Sequence, residues 1–243
     1  MDIISRNFFR LLRAGVFRRQ EPVEAMSASK WRKLWQLTKL HGVEAETWEG
    51  VKVLQGQFFM RLTDDLWAEW ELSAQEGRTR RYEIPQLMSR RLVKKLEKME
   101  TDDGKDSPMP ARICRVLRSS AVLAQCLLTA DRWVRQLLLL GQTLQREGIS
   151  IDRSMLEDGA DRLGIARMLQ LECQMLVTLL EFDKERIPLE LPDDSRNERI
   201  VDEIVTAMMW QTKPWARYMK YYPTESIATL FASFIQSLIN IEE

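Results

Sequence analysis

The sequence predicts an all-α protein, a bundle of about eight to ten helices arranged in two packed helical lobes. Apolar residues recur at the three- and four-residue spacing of a helix along nearly the whole chain, without the sustained two-residue alternation of strands. Ten glycines and eight prolines in 243 residues are few for a turn-rich β protein. A hydrophobic content of 45% and a charged content of 30% are ordinary for a globular domain and exclude wholesale disorder.

The first lobe is expected to cover residues 1–100. Gly42 follows the second helix at the position where a left-handed backbone conformation ends a helix without strain from a Cβ atom. Pro85 should kink or divide the last and longest helical stretch of the lobe. In chain order, the expected helices are 3–18, Ser29–His41, Val43–Leu54 and a long stretch from Gln57 to about Glu100.

Residues 101–110 have the composition of a linker, with three acidic residues, one glycine and two prolines, and a hinge is expected near residue 105. The second lobe is then expected to cover 111–243. Its expected helices include Ala111–Leu128, Asp131–Arg146 and Ile165–Phe182. Between the last two, a helix capped by Asp152 is expected to end at Leu163 before Gly164. Two more are expected at the end of the chain: one begins at the Ser195–Glu198 capping box and runs through Trp210, and one is capped by Thr224 and runs through Asn240.

The 36 basic and 36 acidic residues balance, which argues against a protein built mainly to coat nucleic acid. Two stretches depart from this balance. Residues 78–98 carry eight basic against two acidic residues, and residues 181–203 carry nine acidic against four basic residues. The basic stretch is interpreted as a solvated helix face, as a nucleic-acid-binding face on which Tyr82 could stack against a base, or as the complement of the acidic stretch within one chain or across a dimer.

The N-terminal segment predicts a basic amphipathic helix. Residues 1–20 hold five arginines against the single acid Asp2. Ile4, Phe8, Leu11 and Leu12 form an apolar stripe at helical spacing. The expected role is a first helix packed on its own domain, with a transit peptide or a membrane-surface helix as the alternatives.

Candidate catalytic chemistry is sparse. His41 is the single histidine, which argues against a classical Ser-His-Asp triad and a two-histidine metal site. It precedes Gly42, where an imidazolium could interact with free helix carbonyls. No phosphate-binding glycine loop occurs, and the acidic pairs Asp64-Asp65, Asp102-Asp103 and Asp193-Asp194 are interpreted as surface or capping residues. The sequence therefore predicts no catalytic, cofactor-binding or metal-binding residue.

The remaining chemically distinctive side chains are interpreted as core. Three cysteines, Cys114, Cys126 and Cys173, lie among aliphatic residues, which is typical of free buried thiols in a reducing cytoplasm. Polar residues interrupt the apolar run 121–144, so no membrane span is predicted. The side chains expected to pack in the core are Trp31, Trp35, Trp48, Trp67, Trp70, Met168, Met175, Met208 and Met209.

Several helical stretches together resemble an uncharacterised nucleotidyltransferase-like family that is sometimes found with bacterial surface-polysaccharide genes. The resemblance covers about residues 8–100 and 120–210. The matching stretches begin at Phe9-Arg-Leu-Leu-Arg-Ala-Gly-Val-Phe, Ser29-Lys-Trp-Arg-Lys-Leu-Trp-Gln-Leu-Thr-Lys-Leu-His-Gly-Val, Gln75-Glu-Gly-Arg-Thr-Arg-Arg, Leu92-Val-Lys-Lys-Leu, Trp133-Val-Arg-Gln-Leu, Gly148-Ile-Ser-Ile-Asp152 and Leu163-Gly-Ile-Ala-Arg-Met-Leu.

This chain departs from the pattern of that family at its centre. The family places a strand that ends in Lys-Gly and a strand-borne acidic pair that holds Mg²⁺ between these helices. Here only Thr101–Pro110 occupies the interval, with neither feature. Metal-bound carboxylates are what orient a triphosphate in nucleotidyl transfer. The resemblance therefore implies a relative with the helical flanks and without the catalytic lobe, and it carries no catalytic residue over to this chain.

The expected function is that of a non-catalytic cytoplasmic helical protein that acts by protein–protein interaction. The partner would be a protein, for instance a component of a polysaccharide-synthesis system, or a second copy of the chain. The alternatives are a nucleic-acid-binding regulator that uses the basic 78–98 face and a residual nucleotide-binding enzyme. No cofactor is expected.

Overall fold

The computed structural model of this chain describes residues 1–57, 59–82, 85, 87, 89–101, 109–129, 131–191, 199, 201–203, 205, 206 and 209. Within these residues every regular element is helical, so the all-α prediction is confirmed. The α-helices are α1 (Ile3–Phe17), α2 (Ala28–His41), α3 (Glu44–Leu54), α4 (Asp64–Thr79), α5 (Arg90–Glu100), α6 (Ala111–Thr129), α7 (Trp133–Glu147), α8 (Arg153–Leu163) and α9 (Ala166–Leu180), with short 3₁₀ helices at Gly148–Ser150 and Lys184–Arg186.

Helix α1 is part of the core, as the sequence predicts. The Asp2 carboxylate accepts a hydrogen bond from the amide of Ser5 and so caps the helix. The side chains of the apolar stripe are buried, and on the other side Arg6 and Arg10 both contact the Glu24 carboxylate. These two guanidinium groups hold the pKa of Glu24 at about 2. The excess positive charge of the segment is thus partly neutralised within the chain.

Helices α1 and α3 touch through their backbones. A Cβ atom on Gly50 would lie 1.9 Å from the carbonyl oxygen of Leu11, and one on Gly15 would lie 1.8 Å from that of Glu46. Both distances are far inside van der Waals contact, so a side chain at either position would push the helices apart. The two glycines therefore fix the closest approach of α1 to α3.

The tryptophans mostly pack in the core of the N-terminal region, as predicted. The ring of Trp48 on α3 lies 4.8 Å from that of Trp67 and 6.4 Å from that of Trp70, both on α4. Trp31 and Trp70 are fully buried, whereas Trp35 is partly buried, with the Lys39 ammonium 3.6 Å from its ring centre. Met168, Met175 and Met209 are buried as predicted, and Met208 lies outside the described residues.

The long helical stretch expected from Gln57 to Glu100 is two separate helices. Helix α4 begins only after Thr63, whose extended backbone breaks the helical path, and α4 ends at Thr79. Gly77 lies within α4 without interrupting it, and a Cβ atom there would meet the side chain of Glu44 at 3.6 Å. Helix α5 starts afresh after Ser89, whose hydroxyl accepts a hydrogen bond from the amide of Leu92. Pro85 lies between them, in the place where the sequence predicts a division.

Helices α6 to α9 form the C-terminal part of the described chain. Asp152 caps α8 by accepting from the amide of Met155, and Gly164 ends it with φ of 76°, both as predicted. The core is continuous with the N-terminal part, since α5 packs on α6 and α8, and α1 packs on α9. Most of the expected linker, the Ser195–Glu198 capping box and the helix expected from Thr224 lie outside the described residues, and the boundary between lobes stays a prediction.

Candidate functional site

His41 lies inside the protein. Its ring is fully buried at the end of α2, with the ring of Phe8 at 5.9 Å and that of Trp133 at 5.5 Å. Burial lowers its pKa to about 4, although the backbone of Met209 and the charge of Asp131 oppose the shift. The imidazole is therefore neutral near pH 7. The expectation of an imidazolium at the helix end is wrong, because desolvation of the buried ring outweighs the opposing effects of Met209 and Asp131.

The three cysteines are free and buried, in agreement with the sequence. Burial raises the pKa of the Cys126 thiol to about 12 and also raises the pKa of Cys114 and Cys173. A thiol is nucleophilic mainly as the thiolate, so these three groups are poorly suited to covalent catalysis near neutral pH.

Sequence reasoning missed Glu172. This carboxyl group lies fully buried on α9, and one of its oxygens forms a hydrogen bond with the hydroxyl of Ser120 on α6. Burial raises its pKa well above the ordinary value. Apolar residues flank Glu172 at helical spacing, and this surrounding pattern is the one signal that could have predicted its burial.

The acidic pairs show no metal site in the part of the chain that can be examined. Asp64 and Asp65 lie in the first turn of α4, where Asp65 forms an ion pair with Arg32. Across the described residues, no group of three or more histidine, cysteine or acidic side chains could hold a metal ion. The pairs Asp102-Asp103 and Asp193-Asp194 lie outside those residues.

Both the hydroxyl and the ring of Tyr82 make contacts within the protein. Its hydroxyl donates to a carboxylate oxygen of the buried Glu44 at 3.2 Å, and the Arg135 guanidinium lies 4.3 Å from its ring centre. Arg132 is a further cation near this ring, at 5.4 Å. Stacking a base on the ring, one of the interpretations of the sequence, would require these contacts to break.

The basic 78–98 stretch consists of two parts that differ in their surroundings. Arg78 forms an ion pair with Glu49, and Arg80 lies 3.5 Å from Glu44 and 3.6 Å from Glu76. The acids that neutralise this first part come from α3 and α4, and no described ion pair joins the stretch to 181–203. The second part is on α5. There an exposed group, which we call the cationic stripe, makes no ion pair with a described residue; its members are Arg90, Arg91, Lys94 and Lys98.

The structure also contains an open cleft that sequence reasoning did not predict. It has a volume of about 620 Å³ and lies between the end of α1, the outer side of α7 and the segment 180–186. The apolar side chains that line it come from all three elements, and they are Val16, Phe17, Leu138, Leu180 and Phe182.

Two glycines let segment 180–186, which forms the third wall of this cleft, lie close to α7. A Cβ atom on Gly141 would meet Leu176 at 3.0 Å and Phe182 at 3.7 Å. One on Gly148 would lie 1.9 Å from the carbonyl oxygen of Arg186. The Arg186 guanidinium then donates to the carbonyl of Gln145 at 2.9 Å. The wall is therefore fixed to α7 by close packing and by a hydrogen bond.

The charged rim of the cleft is only partly paired. Glu181, which ends α9 with φ of 49°, lies 3.4 Å from Arg13 and 3.7 Å from Arg19. Asp183 lies 3.8 Å from Arg186. Arg146 is different, because its described hydrogen bond goes to the carbonyl of Gln142 on its own helix and it makes no ion pair with a described residue. The cleft thus combines an apolar floor with an exposed, unpaired cation.

Comparisons with known proteins give this chain no relative. No family model matches it, and neither the curated proteins nor the solved structures contain a match. In addition, none of the helices in the described ranges is long and apolar enough to cross a membrane.

Proposed function

We propose that this chain is a non-catalytic cytoplasmic protein that acts by binding another protein, and that the cleft between α1, α7 and segment 180–186 is the docking site. The occupant would be an amphipathic helix with acidic residues beside its apolar face. The observation that carries the proposal is the apolar floor of this open cleft, bordered by the unpaired cation Arg146. The free buried cysteines support the cytoplasmic location, because such thiols are typical of reducing compartments.

The shape of the apolar surface favours a helix over a small molecule. A small-molecule site usually surrounds its ligand and converges several polar groups on it. Here charged groups line the cleft beside its apolar residues, and Leu139, which is 38% exposed, lies on α7 one turn before the lining residue Gln142. A helix that places apolar side chains three and four residues apart could fill the floor and cover Leu139 together.

The charges favour an acidic partner. The rim acids Glu181 and Asp183 already face Arg13, Arg19 and Arg186 within the chain. The guanidinium of Arg146 makes no ion pair with a described residue, so its charge is available to a partner. A carboxylate on the docked helix could pair with this guanidinium, and complementary rim charges raise the rate of association and favour the correct partner.

The test is photo-crosslinking in cells that naturally express the chain. A benzophenone amino acid replaces Gln142 on the rim, and the control replaces Glu71, an exposed residue of α4. We expect a protein adduct of discrete mass at position 142 and none at position 71. Mass spectrometry should map the crosslink to an acidic amphipathic helix, and the purified partner should bind the purified chain in calorimetry.

Matched variants give this experiment its specificity. Arg146→Glu should weaken binding about tenfold or more, because a rim cation becomes a like charge facing the partner. Arg167→Glu makes the same change at an exposed arginine of α9 that does not line the cleft, and should leave binding unchanged. Equal losses in both variants, or no adduct at position 142, would refute the docking site. A dimer that only Arg146→Glu dissolves would support protein contact and replace the acidic partner with a second copy.

We also propose that the chain is a relative of the nucleotidyltransferase-like family that lacks the catalytic lobe, with a partner linked to surface-polysaccharide synthesis. The support is the set of resembling stretches, which contribute to α1, α2, α4, α5 and α7 to α9. Calorimetric titration with Mg²⁺ and each of the four nucleoside triphosphates should give no binding heat. Magnesium-dependent binding of any of them would contradict the proposal and favour a residual nucleotide-binding enzyme.

A further inference from the structure

We propose that the cationic stripe of α5, defined above as Arg90, Arg91, Lys94 and Lys98, binds the phosphate backbone of a nucleic-acid duplex without reading its sequence. This interaction is independent of the cleft and goes beyond protein docking. It rests on the arrangement of the four cations, on the pairing of neighbouring basic residues, and on the way α5 packs against the rest of the protein.

The four cations form one continuous face. At about 100° of rotation for each residue, positions 90, 91, 94 and 98 fall within an arc of roughly 100°. Their Cα atoms span about 12 Å along the axis of the helix, at a rise of about 1.5 Å for each residue. All four side chains are exposed. The stripe therefore presents a row of positive charge to a linear partner.

Several other charged residues of the same region are engaged within the protein, although the exposed Arg81 makes no described ion pair. Arg78 and Arg80 have acidic partners on α3 and α4, the Lys95 ammonium donates to the carbonyl of Arg162, and the Glu100 carboxylate accepts from Arg118. The acid that remains beside the stripe on α5 is the exposed Glu97. In the described part of the chain, four cations thus face a single nearby acid of their own helix.

The position of two of these cations is unfavourable for the isolated helix. Arg90 and Arg91 occupy the first turn of α5, which contains no acidic residue. The N-terminus of a helix carries partial positive charge, so a cation placed there is repelled. A bound anion would relieve this repulsion.

The packing of α5 argues against insertion into a membrane. Its apolar side chains, Leu92, Leu96 and Met99, are buried, and the helix packs on α6 and α8. The large exposed apolar residues of the described chain are all on other elements. The exposed side of α5 is therefore almost purely charged, whereas interfacial helices bury an apolar face in the lipid.

The spacing of the charges matches a phosphate backbone. One strand of a duplex carries a phosphate every ~3.4 Å along the axis, and the stripe carries four cations in about 12 Å. The aromatic ring in the neighbouring segment, Tyr82, is held by Arg135 and Glu44. Base stacking is therefore not expected, and the contact should depend on salt and not on sequence.

The experiment uses the full chain and a fluorescein-labelled 24-base-pair DNA duplex of random sequence, with fluorescence anisotropy as the readout. If all four cations contact phosphates, the logarithm of the binding constant should fall with the logarithm of salt concentration at a slope of about −3.6. Affinity should then drop about 10²-fold between 50 and 200 mM salt. A second duplex of different sequence should give the same values.

Two triple variants of equal charge test the location. Arg91→Ala/Lys94→Ala/Lys98→Ala should reduce the slope to about −0.9, because one contact remains. Lys30→Ala/Lys33→Ala/Lys184→Ala removes three exposed cations elsewhere and should keep the wild-type slope. Circular dichroism verifies that both variants fold. Arg146→Glu, the cleft variant, should also leave the slope unchanged, which separates this test from that of the docking site.

Three results would overturn the inference. The first is no binding of the wild-type chain to the duplex at 25 mM salt. The second is an equal loss of binding in the two triple variants, which would indicate a nonspecific effect of net charge. The third is binding to vesicles with 30% phosphatidylserine, measured by co-sedimentation at 25 mM salt, without binding to the duplex.

Discussion

The surroundings of His41 and Glu172 differ in the polar contacts that they supply, yet burial shifts the pKa of both groups toward the neutral form. His41 lies at the end of α2 among the aromatic rings of Phe8 and Trp133. Glu172 lies between α9 and α6, with the hydroxyl of Ser120 as its hydrogen-bond partner. Burial is the largest cause of the pKa shift in each case, downward for the base and upward for the acid. At both positions desolvation therefore has a larger effect on the pKa than the local polar contacts.

The two groups should make stability depend on pH in opposite directions. Below pH 6.5 the unfolded chain protonates its histidine while the folded chain does not, so His41 destabilises the fold as pH falls. Above the ordinary carboxyl pKa of 4.5 the unfolded chain loses the proton that folded Glu172 keeps, so Glu172 destabilises the fold as pH rises. A variant at His41 should therefore change how stability falls at low pH, and a variant at Glu172 should change how stability falls as the pH rises.

Removing the titration of His41 should have a large effect on stability at low pH. Relative to His41→Phe, the wild type should lose about 3 kcal/mol of unfolding free energy between pH 7 and pH 4, because its folded pKa is about 4. Phenylalanine preserves an aromatic ring beside Phe8 and Trp133. Urea denaturation followed by circular dichroism at each pH measures the difference. Parallel profiles for wild type and variant would show that His41 is not neutralised by burial.

A change in the packing of α1 against α3 should lower stability without changing the pH dependence that His41 and Glu172 cause. In Gly50→Ala the new methyl group meets the Leu11 carbonyl oxygen, which should cost about 2 kcal/mol after the gain in helix propensity. The matched control is Gly56→Ala, because a Cβ atom there meets nothing within 4 Å. Thermal and urea unfolding measure the stability of both variants relative to the wild type. Equal stability of the two variants would contradict the backbone contact between α1 and α3.

Glu172→Gln should change the slope of stability with pH in the direction opposite to that of His41. Glutamine has nearly the same shape and cannot ionise, so the variant should gain up to about 1.4 kcal/mol over the wild type for each unit above pH 4.5, until the folded pKa is reached. Glu71→Gln, at an exposed acid, should show no such gain. A constant difference between wild type and Glu172→Gln from pH 5 to pH 8 would mean that Glu172 is ionised in the fold.

Much of the fold could be predicted from the sequence because it depends on neighbouring residues. The caps at Asp152, Gly42 and Gly164 follow from local backbone geometry, and the structure confirms each of them. The buried face of α1 follows from helical periodicity. The break before α4 was missed, because the apolar spacing hardly changes between residues 57 and 64 while the backbone at Thr63 becomes extended.

The helical class, the capping residues and the basic character of 78–98 follow from the sequence alone, since each is a property of adjacent residues. Which of the charged side chains remain unpaired depends instead on the tertiary packing. Arg80 is neutralised by Glu44, 36 positions away, while Lys94 on α5 meets no described acid. The cleft and the shifted pKa values of His41 and Glu172 likewise depend on distances between segments far apart in the chain. Coulomb energies and desolvation vary with those distances, and a linear sequence does not contain them.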